Sequence, residues 1–337
     1  MNHFASHLFL VIGLGSIGQR HARNLKQLGA PRVLALRTHL GRRAVPDDLE
    51  VESFDILDDA LAQSPDIAVV CNPTRWHVET ARALVEAGLH VLIEKPLSNS
   101  MLGIKELIQA AEERARILAV AQTLRFYPHV QTARAWLRDG RLGAVRYIRA
   151  AVGQHPPAWF PAQDYRASYA VRRELGGGAT LTFIHEIDLV LYLMGVPQTI
   201  TARAAHLSSI QTDADDISEI IFGYPELLGS VHIDYVQKSP LRSRYLQIVG
   251  EDAALWLDFA KHTLELYGAE EQYEIHALEN FDPNQIHLDL LENFMDAVKG
   301  RVQVEANGQA GARAVRVALA AFESSARGVT IELGETL

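Results

Sequence analysis

The chain has a single cysteine, Cys71, in 337 residues, so no intrachain disulfide can form. Cys71 closes the apolar run Ile67-Ala68-Val69-Val70, the setting of a buried thiol rather than of a nucleophile. Long apolar stretches are missing as well. Runs such as Leu189–Met194 are far too short to cross a bilayer. Basic residues are not in excess: 32 Lys and Arg stand against 41 Asp and Glu, a net charge of −9. That balance gives the chain no electrostatic footprint for nucleic acid or an anionic membrane. The opening MNHFASHLFLVIGLG lacks a basic n-region followed by a long apolar segment and a cleavage site. No secretory signal is expected, and a cytoplasmic location is. The fourteen histidines form no Cys/His cluster, and His185-Glu186-Ile187-Asp188 is not H-E-x-x-H because position 189 is leucine. No metal site is expected.

What is present is a globular composition, 48% hydrophobic and 22% charged, with length for two domains. The first part alternates strand and helix signals. Leu8–Ile12, Arg32–Leu36, Ile67–Cys71, His90–Ile93 and Ile117–Ala121 read as strands. Helical faces lie between them, including Ile17, His21, Leu25 and Leu28, and the stretches 56–62, 75–87, 101–114 and 129–138. This alternation predicts an α/β Rossmann domain, a parallel doubly wound sheet, over residues 1–124. From about residue 143 successive strands follow: 145–152, 199–207, 217–222, 229–236, 245–249 and 254–259. Helices are expected at 184–194 and 310–327. Residues 125–337 are therefore expected to form an α+β domain for substrate binding and oligomerisation, with a large, mainly antiparallel open sheet.

Gly13-Leu14-Gly15-Ser16-Ile17-Gly18 is G-x-G-x-x-G between a strand and a helix. Gly13 makes the tight turn, Gly15 leaves room for a pyrophosphate, and Gly18 lets helix and strand approach. The phosphates would lie on the helix N-terminus. The next strand ends in Arg37 and Thr38, with Arg42-Arg43 beyond, where an acidic residue often meets a ribose hydroxyl. A guanidinium suits a 2′-phosphate, so NADP is favoured over NAD. The stretch HVLIEKPLS then carries Glu94-Lys95-Pro96 at the end of an apolar strand, counted as the fourth. In such sheets ligands bind at the carboxyl ends of strands. Lys95 is thus delivered to the cofactor side, where its ammonium can hydrogen-bond a hydroxyl or carbonyl oxygen.

These features, with Asn72-Pro73-Thr74 and His77 after the third strand, resemble the Gfo/Idh/MocA oxidoreductases. Arg125-Phe126 before Pro128, Gly176-Gly177-Gly178, His185-Glu186-Ile187-Asp188 and the closing amphipathic helix fit the same pattern over essentially the whole chain. The resemblance implies a Rossmann domain that holds NAD(H) or NADP(H), and sugar, amino-sugar, nucleotide-sugar or cyclitol substrates. It also implies contacts between copies through the open sheet, giving a homodimer or homotetramer. Lys95 and His185 take the places of the family's proton-handling residues. Asn72, Pro73, Thr74, His77, Glu94, Lys95 and Pro96 take places along its cofactor side. Arg125, Trp159, Asp164, Tyr165, Tyr169 and Asp188 are candidate substrate residues. The segment Trp159-Phe160, Asp164-Tyr165-Arg166 and Tyr169 resembles members associated with surface-polysaccharide or amino-sugar pathways.

One departure concerns the aspartate that many members carry three or four residues before the histidine. Here those positions are Thr182 and Leu181. Glu186, Asp188 and Asp164 are the candidate partners for His185. Arg166, Arg172 and Arg173 either meet an acidic or phosphorylated substrate or form a solvated loop. Gly176–Gly178 is a second anion loop, a flexible entry or a close approach to the cofactor. Two functions follow: an NAD(P)-dependent dehydrogenase acting on CH–OH groups, or a dinucleotide-binding regulator without turnover.

Overall fold

The computed structural model describes residues 4–37, 45–46, 49–159, 164–239, 243–269 and 273–334. The chain divides into two compact units, Met1–Thr123 with Pro283–Ala312, and Leu124–Asp282 with Arg313–Leu337.

The first unit opens with β1 (Phe9–Ile12), α1 (Ser16–Gln27), β2 (Val33–Leu36), β3 (Glu52–Phe54) and α2 (Leu57–Leu61). It continues with β4 (Ile67–Val70), α3 (His77–Glu86), β5 (His90–Ile93), α4 (Ile104–Glu113) and β6 (Leu118–Val120). All pairings are parallel, in the order β3-β2-β1-β4-β5-β6. β1, β2 and β4 are continuous apolar runs buried along their length, as central parallel strands must be when both faces are covered. The chain runs outward from β1 to β3 and then returns to β4 on the other side of β1. That reversal is the switch point of a doubly wound sheet, where a crevice opens at the carboxyl ends. β3 was not expected: Glu52-Ser53-Phe54 is short, with two exposed residues and no apolar run. Because it intervenes, Lys95 follows the fifth strand of the chain and not the fourth.

The second unit contains α5 (Pro128–Arg138), β7 (Val145–Gly153), α6 (Pro156–Trp159), α7 (Ala179–Thr182) and α8 (His185–Met194). Next come β8 (Thr199–Ala205), β9 (Ile217–Gly223), β10 (Leu228–Asp234), β11 (Arg244–Gly250), β12 (Ala253–Asp258), β13 (Thr263–Gly268) and β14 (Tyr273–Ala277). With β15 (Ile331–Glu332) they form a nine-stranded sheet, β14-β13-β12-β11-β7-β10-β9-β8-β15. Pairing is antiparallel except between β7 and β10, which run parallel. Burial alternates along β9, with Ser218, Ile220 and Phe222 inside, the period of a sheet with one covered face.

Between β14 and β15 lie α9 (Gln285–Val298) and α10 (Gly308–Arg327). Segment 283–312, expected in the second domain, belongs to the first unit. Three contacts explain this. The Asn24 and Asn284 amides hydrogen-bond reciprocally at 3.2 and 2.8 Å. Arg20 Nη1 lies 3.0 Å from His287 Nε2. The Val120 N–H donates to the Ala306 carbonyl. α9 was not expected, although Ile286, Leu290, Leu291 and Phe294 recur at helical spacing and are buried.

Candidate active site

In the first unit the glycine loop does what its spacing requires. Gly13 has φ +90°, in the left-handed region, and its N–H donates to the Leu36 carbonyl at 2.9 Å. A Cβ on Gly18 would overlap the Gly13 carbonyl, so only glycine lets α1 start this close to β1. Gly15 differs: a Cβ there would meet no atom within 4 Å. The space above it stays open, at the N-terminus of a helix with no side-chain cap and no acidic residue in its first turn. Ser16 and Ile17 begin that helix, whose first amides have no intrahelical acceptor. The donors and the open cradle fit a dinucleotide pyrophosphate.

Arg37 follows β2 directly; its N–H donates to Phe54 O at 2.8 Å and the residue is half-buried. Thr38, Arg42 and Arg43 lie outside the described residues.

The loop after β4 carries Asn72, Pro73 and Thr74. Backbone atoms of Asn72 border the Gly13 turn, 3.1 Å from where a Gly13 Cβ would stand. Asn72 Nδ2 donates to Thr80 Oγ1 at 2.9 Å, while its Oδ1 is buried with no hydrogen-bond partner among the described residues. A buried lone acceptor beside the cradle is a second feature that suits a bound nicotinamide group. Thr74 is buried at the start of the turn leading into α3.

His77, buried at the head of α3, places Nδ1 2.8 Å from Pro96 O and Nε2 2.8 Å from Asn72 O. The ring ties the loop after β4 to the loop after β5. Burial lowers its pKa, and the two carbonyl contacts oppose that shift. Glu94, Lys95 and Pro96 follow β5, and the Lys95–Pro96 bond is cis. Glu94 is buried and accepts a hydrogen bond from His21 Nε2 at 2.7 Å. Burial alone would raise the Glu94 carboxyl, but the His21 hydrogen bond, then the charges of His21 and Lys95, hold it below the ordinary value. Burial first, then the Glu94 charge, pushes the Cys71 thiol well above the usual range, which keeps it protonated and unreactive.

In the second unit His185 opens α8 and is buried. The three carboxylates expected as its partners are bound to arginines. Asp188 takes both hydrogen bonds of the Arg125 fork, Nε to Oδ2 at 2.8 Å and Nη2 to Oδ1 at 2.7 Å. Arg125 also lies over the Tyr192 ring at 4.6 Å. Glu186 takes a second fork, from Arg244, at 2.6 and 3.1 Å. Both acids sit in the first turn of α8, where the helix dipole favours negative charge. Asp164 is exposed and bound by Arg166, whose hydrogen bond lowers its pKa.

The other candidates are placed as follows. Trp159 packs edge-to-face on Phe183 at 5.9 Å and Tyr235 at 5.5 Å. Its Nε1 is buried without a hydrogen-bond partner among the described residues. Tyr165 OH accepts from Gln211 N at 3.1 Å. Tyr169 opens a 3-10 turn whose carbonyl sits where a Gly177 Cβ would be, so the glycine triplet serves a close approach of two loops. Arg172 pairs with Glu174, and Arg173 donates to Asp213 O at 2.9 Å. Thr182, in the place of the family aspartate, accepts from Tyr235 OH at 2.7 Å. No group of three or more His, Cys, Asp and Glu among the described residues is placed to hold a metal ion. No described helix is long and apolar enough to cross a membrane.

Residues 8–122 match the Gfo/Idh/MocA oxidoreductase family, NAD-binding Rossmann fold, and residues 130–256 match its C-terminal domain. The chain belongs to the Gfo/Idh/MocA oxidoreductase family. It is similar to UDP-N-acetylglucosamine 3-dehydrogenase of Acidithiobacillus ferrooxidans, 27% identical over 93% of this chain and 97% of that protein. It is also similar to 2,7-anhydro-N-acetylneuraminate hydratase of Mediterraneibacter gnavus, 24% identical over 83% of this chain and 75% of that one. The fold matches the WlbA dehydrogenase from Bordetella pertussis, solved with NADH and UDP-GlcNAcA, with a TM-score of 0.80 at 22% identity over 97% and 99% of the two chains. Membership of this family sets the chain among NAD-binding oxidoreductases and against the reading as a regulator without turnover.

Sequence reasoning placed His21 on the buried face of α1 as a packing residue and missed its bond to Glu94. The signal was a histidine on an otherwise apolar stripe, three residues after Gly18. His287, on α9, was missed with its helix.

Proposed function

We propose that this protein is a cytoplasmic, homo-oligomeric dehydrogenase or reductase that moves a hydride between a nicotinamide dinucleotide and a secondary alcohol or ketone carbon. The substrate is a sugar, amino sugar, nucleotide sugar or cyclitol, and a UDP-N-acetyl sugar is the first to try, since a relative at 27% identity carries that name. The observation that carries this reading is the His77 bridge. It joins Asn72, which borders the glycine cradle, to the loop of Lys95, so the cradle and the loop that carries Lys95 share the carboxyl edge of one sheet. When bound, the dinucleotide supplies the hydride acceptor or donor at its nicotinamide ring. The α1 amides hold its phosphates. Asn72 and Thr74 line the ring side. Lys95 stabilises the substrate oxygen and, with His185, handles its proton. Arg125, Trp159, Asp164, Tyr165, Tyr169 and Asp188 are proposed to shape the substrate side. Within that set the Arg125–Asp188 and Asp164–Arg166 pairs support an architectural part, holding the loop and α8 in place. Arg37 supports a preference for NADP over NAD.

The test is incubation with NAD+ or NADP+ and a panel of UDP-sugars, free sugars, amino sugars and cyclitols, following reduced-nicotinamide absorbance. Turnover on at least one class is expected. Tight dinucleotide binding with no turnover in either direction across the panel would overturn the reading.

A further inference from the structure

We infer that His21 is a positioning residue for Lys95 and acts on it through the carboxylate of Glu94. The inference rests on the reading of Lys95 as the proton-handling group. His21 is fully buried on α1, and Nε2 reaches Glu94 Oε1 at 2.7 Å. The other oxygen, Oε2, accepts the backbone N–H of Lys95 at 3.2 Å. An ionised carboxylate only accepts, so the hydrogen of this contact sits on His21 Nε2. The Glu94 side chain is therefore pinned at both oxygens, by α1 on one side and by the peptide of Lys95 on the other. His21 lies three residues after Gly18, so the helix that forms the phosphate cradle also holds the counter-charge behind the ammonium.

Five titratable groups face Glu94 electrostatically: His21 from α1, His287 from α9, His77 from the head of α3, Cys71 at the exit of β4, and Lys95 beside it. His287 is held neutral by burial, with its pKa lowered to about 4, and Cys71 stays a thiol. Both His77 nitrogens face backbone carbonyls and not the Glu94 carboxylate. His21 donates a side-chain hydrogen bond to Glu94. Without that donor, burial favours the protonated acid. Its negative charge then disappears, the Lys95 ammonium loses its stabilising neighbour, and the Lys95 N–H faces a loosened acceptor.

The experiment uses the full-length enzyme with its substrate from the panel above. His21→Leu, His21→Gln, Glu94→Gln and Lys95→Met are compared by kcat, KM, the pH profile of kcat/KM and dinucleotide affinity, with circular dichroism to establish folding. His21→Leu and Glu94→Gln are expected to lower kcat about tenfold, equivalent to about 1.4 kcal/mol of barrier. They also move the Lys95 limb of the profile to lower pH by about one unit. His21→Gln recovers most of kcat, because its amide nitrogen takes the place of Nε2. A folded His21→Leu with wild-type kcat and profile, while Lys95→Met is inactive, would overturn the inference alone. If His21→Leu does not fold, an unmoved limb in Glu94→Gln overturns it equally. A loss confined to dinucleotide affinity in both variants also overturns it, since these residues would then serve the cofactor only. Wild-type turnover in Lys95→Met instead removes the underlying reading.

Discussion

Among the candidate site residues, the two units hold their polar groups by different means. In the first, histidines do the holding: His21 fixes the Glu94 carboxylate and His77 bridges two backbone carbonyls. In the second, arginine forks grip carboxylates, Arg125 on Asp188 and Arg244 on Glu186. A guanidinium fork takes both carboxylate oxygens in a rigid, always charged pair. A histidine offers one hydrogen-bonding atom on each ring nitrogen and cannot take both oxygens of a carboxylate as a fork does. The first arrangement suits a region that must tune a neighbouring ammonium. The second suits a scaffold that holds a helix start in place.

Breaking the second arrangement gives the largest effect. Asp188→Leu leaves Arg125, whose side chain is 8% exposed, without its counter-charge. A loss of about 3–5 kcal/mol in stability is expected, read by calorimetry. Adding Arg125→Met should recover most of it. An unchanged melting profile in the single variant would show that the fork is not holding α8. Breaking the first arrangement costs less. His77→Phe removes the ring nitrogens from the Pro96 and Asn72 carbonyls, for about 1–3 kcal/mol, and it should lower kcat because the Lys95 loop loses its tie to Asn72. Equal thermal shifts for the two variants would erase the contrast between the units.

Arg37→Ala sharpens the cofactor side. KM for NADP should rise about tenfold, equivalent to about 1.4 kcal/mol, with KM for NAD nearly unchanged. Equal effects on both cofactors would remove Arg37 from 2′-phosphate recognition.

The smallest effect is a difference of pH slope. His287, in the first unit, has its pKa lowered to about 4 by burial. Its unfolded form binds a proton more readily, so its contribution is present above about 6.5 and is lost as pH falls toward about 4. His232, in the second, is raised to about 9 by hydrogen bonds to Asp234 and Glu219. Its contribution is full below about 6.5 and is lost as pH rises through about 9. Thermal melts of His287→Asn and His232→Asn against pH should therefore flatten opposite ends of the stability curve. Changes at the same end would contradict the assignment.

Much of the first unit was legible because its signals are local. The glycine loop, Asn72-Pro73-Thr74 and Glu94-Lys95-Pro96 each follow a strand within a few residues, and strand ends of a parallel sheet share an edge by construction. The supports were not legible. His21 and Glu94 are 73 residues apart, and nothing in either neighbourhood names the other. The same limit hid the forks, since Arg125 and Asp188 are separated by 63 residues and Glu186 and Arg244 by 58. Asp188 was legible as a neighbour of His185 by helical spacing, but nothing local announced that Arg125 bonds both its oxygens. β14 escaped because its residues are all exposed and carry no burial pattern, whereas α9 carried one that went unread.

The most direct test of the central claim is single-turnover formation of reduced nicotinamide by Lys95→Met beside the wild type, with dinucleotide affinity measured on the same samples. The account predicts a rate at least about a hundredfold lower with affinity nearly unchanged. A variant that transfers hydride at the wild-type rate would contradict it.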